Sequence, residues 1–239
     1  MGAGPGDPGL LTLLGLSALQ QADVVVHDAL LGQDILKWAN PAAELIFAGK
    51  RGGVASPKQA DISATLIEQA RAGKRVARLK GGDPLVFGRG GEEALALLAA
   101  GISFRFVPGV SSGLGGLAYA GIPLTHRTTN SAVTFITGHS VTGDMPDNVD
   151  WQGLAKSSPA LVIFMAIRHL DQIMESLLTG GRDPDEPVAV VQNATLPDMR
   201  VLDTTVGQTA AAVKAAGFGS PALIAIGANV GLREQLFWR

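Results

Sequence analysis

The chain has 239 residues, 46% hydrophobic and 17% charged, with a formal net charge of −2 and no cysteine. That length holds one large core or two modest domains, and the balance excludes a disordered chain and a nucleic-acid surface as the main business. Zero Cys excludes disulfides, thiolate metal sites and a Cys nucleophile, no apolar run reaches the ~18 residues of a membrane span, and no secretory leader is visible, so a cytoplasmic protein is expected.

The first motif is G-A-G-P-G-D-P-G at residues 2–9. Gly2 and Gly4 fit a dinucleotide fingerprint, and Asp28, after Val24-Val25-Val26, stands where a ribose-binding acid is expected. Asp7 takes the place of the third glycine and Pro5 removes a backbone N–H, so the loop suits a phosphate poorly. A plain Gly/Pro turn between strand and helix is the alternative.

Short β-branched runs predict strands at 23–27, 44–48, 75–79, 103–107, 132–137, 160–165, 187–192, 200–205 and 222–227. Helical patterns lie between them at 10–21, 57–72, 90–100, 111–120, 168–179 and 206–216. Gly73, Gly101 and Gly217 follow helical runs as C′ residues, and Ser56-Pro57 offers an N-cap with Pro at N1. The alternation predicts an α/β protein with a mainly parallel sheet. The Gly/Pro/Thr-rich stretch 121–131 breaks the rhythm. It predicts an N-terminal α/β domain over 1–128, a C-terminal α/β domain over 129–239, and a ligand cleft between them.

Residues 50–89 hold nine Lys/Arg against three Asp/Glu, a band suited to an anionic substrate. Arg71, Lys74 and Arg75 of that band read more simply as solvation of a helix and a strand end. Within it runs R-L-K-G-G-D-P-L-V-F-G-R-G-G-E-E, residues 78–93. This second glycine turn also carries a carboxylate, Asp83, where a phosphate site wants N–H donors. Two acid-bearing glycine turns suit a cationic, donor-rich ligand lying on bare backbone, and S-adenosylmethionine fits that description. Arg89 stands between glycines, where neighbouring side chains do not crowd it, or else it pairs with Glu92 at the start of the helix. Glu92-Glu93 also complement the helix dipole.

Through G-A-G-P-G-D-P-G-L-L-T-L (2–13), A-D-V-V-V-H-D (22–28), F-A-G-K-R-G-G (47–53), the 79–93 turn, V-P-G-V-S-S-G (107–113), G-I-P-L-T-H-R (121–127), T-F-I-T-G-H (134–139), F-M-A (164–166) and G-R-D-P-D-E-P-V-A (181–189), the chain resembles the tetrapyrrole methylase family. The K-R-G-G and G-R-G-G-E-E segments resemble the branch acting on uroporphyrinogen III. The resemblance implies two α/β domains with a cleft, a homodimer, and methyl transfer from S-adenosylmethionine to C2 and C7 of uroporphyrinogen III. The product would be precorrin-2, for sirohaem, cobalamin or haem d1 synthesis; a later corrin intermediate is the rival substrate.

By motif, the resemblance assigns the cofactor to Pro5, Gly81, Gly82, Asp83, Ser111, Ser112, Met165, Ala194 and Ala222. It assigns catalysis to Arg89, Asp28 and Glu92, and substrate binding to Arg51, Arg127 and His139. The chain departs from the family at Ser111-Ser112, often Thr-Ala. It also departs at Met1-Gly2, where an apolar first strand is expected to be missing. With no dehydrogenase–chelatase extension, synthesis is expected to stop at precorrin-2. Plainer roles exist for several of these residues: core packing for Met165, a helix cap for Ser111-Ser112, structure for His27, His126 and His169. No metal site, nucleic acid or membrane is expected. An NAD-dependent oxidoreductase using Gly2, Gly4 and Asp28, and a cofactor-binding module without catalysis, are the alternatives from other classes.

Overall fold

A computed structural model describes residues 1–29, 31, 33–49, 59–140 and 142–238, with backbone only at residue 33. These residues form two compact units, Met1–Ser111 and Ser112–Arg239. Both mix helices with sheet, as the alternation predicts.

In the first unit, strands β1 (Val24–His27), β2 (Glu44–Phe47) and β3 (Val76–Leu79) form a parallel sheet in the order β2-β1-β3. Helices α1 (Leu13–Gln21), α2 (Gln59–Arg71) and α3 (Gly90–Ala99) cover it. Val25, Ala77 and Leu79 join Leu19 and Ala22 in one buried cluster; Val24 and Val26 join Ile62 and Leu66 of α2 in the other. Strands buried on both faces explain the unbroken Val24-Val25-Val26 run.

Two expected boundaries shift for local reasons. The helix expected from residue 10 starts at Leu13, because the Asp7 carboxylate accepts from Gly9 N–H around a 3₁₀ turn and the Thr12 hydroxyl caps α1. The strand expected at 103–107 is not a strand: among the described residues it has no ladder partner, and only the Val107 carbonyl accepts from Gly2 N–H. Gly73, Gly101 and Gly217 all take positive φ as expected of C′ residues. The proposed cap Ser56-Pro57 lies outside the described residues.

In the second unit, strands β4 (Thr134–Thr137), β5 (Ala160–Phe164), β6 (Pro187–Gln192), β7 (Arg200–Thr205) and β8 (Ala222–Gly227) form one sheet, order β4-β5-β8-β6-β7. Only β4 and β5 run parallel; β5–β8, β8–β6 and β6–β7 are antiparallel, which corrects the expected mainly parallel arrangement. The short link 193–199 contains no helix, so β6 and β7 pair as a hairpin and not through a crossover. Helices α4 (Ser112–Tyr119), α5 (Trp151–Ser157), α6 (Leu170–Thr179), α7 (Thr209–Ala215) and α8 (Arg233–Leu236) complete the unit. α5 is absent from the sequence reading; Asp150 caps it and buried Trp151 anchors it in the main core beside Leu161, Ile163, Ile173 and Leu177.

Candidate functional site

The two glycine turns lie side by side at the C-terminal end of β3. Gly4 bridges Gly82, Gly2 bridges Lys80, and Gly2 N–H donates to the Val107 carbonyl. A Cβ on Gly2 or Gly109 would run into neighbouring backbone, so these glycines permit main chain to touch main chain. Asp83 locks the arrangement: Oδ1 accepts from Leu85 N–H at 2.8 Å and Oδ2 from Gly109 N–H at 3.0 Å. Two carboxylates, Asp7 and Asp83, therefore flank bare backbone, and both already accept backbone N–H groups. This acceptor set fits a cationic, amine- and hydroxyl-bearing ligand and does not fit a pyrophosphate.

Behind the second turn lies a buried ion cluster that the sequence reading did not identify. Glu93 Oε1 accepts from Lys80 Nζ (2.9 Å), Arg78 Nε (3.2 Å) and Gln59 Nε2 (2.8 Å). Arg78 in turn holds Asp28 Oδ1 at 2.6 Å, and Lys80 stands 3.8 Å from Asp28 Oδ2. Burial pushes the Glu93 carboxyl up, but Arg78 and Lys80 outweigh it and hold the carboxyl below its ordinary range. The local signal was a 3.6-residue repeat that turns Glu93, and not Glu92, toward the sheet.

Several cations of the basic band are paired with acids outside it. Arg78 and Lys80 belong to the cluster, Lys74 pairs with Glu44, and Arg75 forks onto Asp23. The Arg75 hydrogen bonds lower the Asp23 carboxyl to about 2. Lys50, Arg51 and Lys58 lie outside the described residues, and with them the substrate role expected of Arg51.

Arg89 sits in the left-handed region (φ 58) immediately before α3. Its guanidinium forks onto Glu92, Nε to Oε1 at 2.9 Å and Nη2 to Oε2 at 2.7 Å, half-exposed. That hydrogen bonding raises the Arg89 pKa and lowers that of Glu92. The flanking glycines have a packing cause: a Cβ on Gly88 or Gly90 would collide with the Pro84 carbonyl oxygen, to which Gly90 N–H donates at 2.9 Å. Access for Arg89 is therefore not what requires them.

In the second unit the candidates gather at one end of the sheet. His139 follows β4, Met165 follows β5, Ala194 follows β6, and Ala222 opens antiparallel β8 opposite Gln192. Ser112 opens α4, whose Gly113 and Gly116 approach Phe164 and Ala194 too closely for a Cβ. Met165 (φ 55), Asn193 (φ 51) and Thr195 (φ 66) all hold left-handed backbone at this end. Such strain costs about 1–3 kcal/mol per residue and clusters where ligands are clamped. Asn193 and Thr195 were not legible, because strain leaves no composition signal. Met165 is 45% exposed, so core packing does not explain it. Its neighbour His139 stacks on His169, ring centres 6.1 Å apart, and His169 Nε2 lies 3.0 Å from the Gly143 carbonyl. Arg127 is exposed in the loop before β4, while Ser111 and Pro5 are buried and half-buried in the first unit. Among the described residues no group of three His, Cys, Asp or Glu could hold a metal, and no helix is long and apolar enough to cross a membrane.

The family model for Tetrapyrrole (Corrin/Porphyrin) Methylases matches residues 1–210. A Uroporphyrinogen-III C-methyltransferase from Sinorhizobium sp is 59% identical over 238 residues, covering 100% of this chain and 85% of that protein. A siroheme synthase from Escherichia coli O139:H28 is 47% identical over 238 residues; the chain spans only 51% of its length. A crystal structure of Uroporphyrin-III C-methyl transferase from Thermus thermophilus, complexed with S-adenyl homocysteine, superposes with a TM-score of 0.82 at 38% identity, covering 97% of each chain.

Proposed function

This chain belongs to the tetrapyrrole (corrin/porphyrin) methylases, and from that premise we propose that it methylates C2 and C7 of uroporphyrinogen III with S-adenosylmethionine, giving precorrin-2. The observation that carries the reading is the pair of acid-bearing glycine turns joined through the Gly4–Gly82 bridge. The Thermus relative's demethylated cofactor and the Sinorhizobium relative's activity support it. When bound, S-adenosylmethionine supplies a methyl on a sulfonium, and the pyrrole carbon takes it as the C–S bond breaks with its electron pair left on sulfur.

This chain's residues then divide the work. Pro5, Gly81, Gly82, Asp83 and Ser111 of the first unit, with Ser112, Met165, Ala194 and Ala222 of the second, hold the cofactor. Arg89 exchanges its Glu92 partner for a substrate carboxylate, with the bidentate geometry that only a guanidinium offers. Arg51, Arg127 and His139 take further substrate contacts. Asp28, oriented by Arg78, and Glu92, released by Arg89, are the carboxylates assigned to the proton that the methylated ring sheds. Holding donor and acceptor in line supplies up to ~7–11 kcal/mol of the barrier reduction. The enzyme works as a cytoplasmic homodimer; exposed Leu13, Leu95 and Leu98 provide apolar surface for self-association.

Calorimetric titration with S-adenosylhomocysteine and with NAD tests the class. Saturable binding of the first and none of the second is expected. NAD binding without a response to S-adenosylhomocysteine would replace the reading with an oxidoreductase.

A further inference from the structure

The turn that leads from β3 into α3 is closed on its inner side. Asp83 Oδ1 accepts from Leu85 N–H, Gly90 N–H donates to the Pro84 carbonyl, and Gly88 and Gly90 leave room for that carbonyl. Exposure alternates along it. Pro84 and Gly90 are buried and Val86 and Gly88 are half-buried, whereas Leu85, Phe87 and Arg89 are exposed. Two large apolar side chains thus stand outside with one guanidinium, Leu85 at 56% and Phe87 at 40% exposure. Neither joins the two buried clusters around β1.

Phe87 is the anomaly. Its backbone is left-handed (φ 51), as is that of Arg89 two residues on (φ 58). A bulky side chain is strained in that region, whereas Gly or Asn is at ease there. The folded chain therefore carries a strained backbone at Phe87 and leaves much of the phenyl ring in water. Strain of this kind persists where the surrounding structure enforces it, and it gathers at ligand clamps. Here Asp83 and the Pro84 carbonyl do the enforcing, one on each side of the ring.

We propose that Phe87, with Leu85 beside it, is a substrate contact: an apolar platform for the face of a pyrrole ring whose carboxylate rim is taken by Arg89. The proposal rests on the reading that the substrate is uroporphyrinogen III. That molecule is apolar on its pyrrole faces and anionic on its rim, and the turn presents the same two characters two residues apart. A phenyl ring against a pyrrole is a favourable aromatic pair. The water it displaces leaves the Arg89–carboxylate bond in a lower dielectric, where that bond is stronger. The ring would set which face of the pyrrole is covered, and the guanidinium would set its rotation.

The test is equilibrium binding of uroporphyrinogen III, kept reduced, to the whole chain saturated with S-adenosylhomocysteine, so that binding is read without turnover; methyl transfer is measured separately. Phe87→Asn removes the ring and keeps a residue that accepts left-handed backbone. It should weaken tetrapyrrole binding about tenfold or more. It should bind S-adenosylhomocysteine as the parent does and melt no lower than the parent, because the strain is relieved. Phe87→Tyr, which keeps the ring, should restore tetrapyrrole affinity. Unchanged tetrapyrrole affinity in Phe87→Asn would overturn the proposal. So would a clear fall in its melting temperature, which would make Phe87 a packing residue, or a loss of S-adenosylhomocysteine binding, which would place it on the cofactor. Weaker self-association of Phe87→Asn in sedimentation would also overturn it, assigning the ring to a second copy. A parent that binds the tetrapyrrole but transfers no methyl, with Phe87→Asn still weaker, would overturn the reaction and uphold the contact.

Discussion

Replacing Glu93 by alanine is expected to destabilise the protein far more than removing any exposed acid. Its Oε1 accepts from Lys80, Arg78 and Gln59, and the Lys80 and Glu93 side chains are only 6% and 5% exposed. Without Glu93, Lys80 keeps one acidic neighbour among the described residues, Asp28 at 3.8 Å. Breaking a buried pair from one side costs about 3–5 kcal/mol, which for a chain of this size is about 6–20 °C in Tm. Glu93→Gln, which keeps an acceptor but not the charge, should fall between. The double variant Lys80→Met/Glu93→Leu should recover most of the loss, because no uncompensated charge remains and Arg78 still has Asp28. The pH dependence follows the sign of the Glu93 shift. Its folded value lies below the unfolded one, so its contribution is fully present above the unfolded Glu range of about 4.3 and disappears as pH falls through the lower folded value. Glu93→Gln should lack that part of the acid limb. Thermal and urea unfolding followed by circular dichroism at neutral and acid pH measure all of this. A Glu93→Ala variant within about 0.5 kcal/mol of the parent, or a double variant no better than the single, would refute the ion-cluster account, since surface-like substitutions stay in that range.

Three further outcomes follow from the same geometry. Arg89→Lys should keep the fold and cofactor binding but lose about 10²–10³ in single-turnover methyl transfer at saturating cofactor, since the charge stays and the fork is lost; near-normal turnover would remove Arg89 from the chemistry. Asp83→Asn puts an amide where a carboxylate oxygen accepts from Leu85 or Gly109 N–H, so it should lower stability by about 1–3 kcal/mol and weaken S-adenosylhomocysteine binding in the folded fraction; an unchanged melting curve contradicts the locking role. The Asp23 carboxyl should titrate by NMR near 2, and Arg75→Ala should return it to the ordinary Asp range. Its folded value is the lower one, so the associated stability is present above the ordinary Asp range and disappears as pH falls through about 2.

Much of the fold was legible because strand and helix periods differ. Val24-Val25-Val26 and Ala160–Phe164 read as strands, and the C′ glycines marked helix ends. Strand direction was not legible: nothing in a β-branched run states its orientation, and only the short link 193–199 signalled the hairpin. Composition also predicts a strand at 103–107, but a strand needs a ladder partner, and among the described residues the segment is bonded only where its Val107 carbonyl accepts from Gly2 N–H. For the site, the acidic glycine turns were readable because Gly and Asp have distinct backbone roles. The glycines around Arg89 were misread as access for its side chain; they admit the Pro84 carbonyl. The helical repeat points Glu93 toward the sheet, but its Lys80 partner and the strained Thr195 depend on tertiary contacts, which no local pattern carries.

The central claim is tested most directly by incubating the chain anaerobically with S-adenosylmethionine and enzymatically generated uroporphyrinogen III, then weighing the tetrapyrrole by mass spectrometry. The account predicts a product heavier by two CH2 units, each methyl gained for a proton lost, with two molecules of S-adenosylhomocysteine formed per tetrapyrrole. A tetrapyrrole of unchanged mass, from folded protein that demonstrably binds S-adenosylhomocysteine, would contradict it.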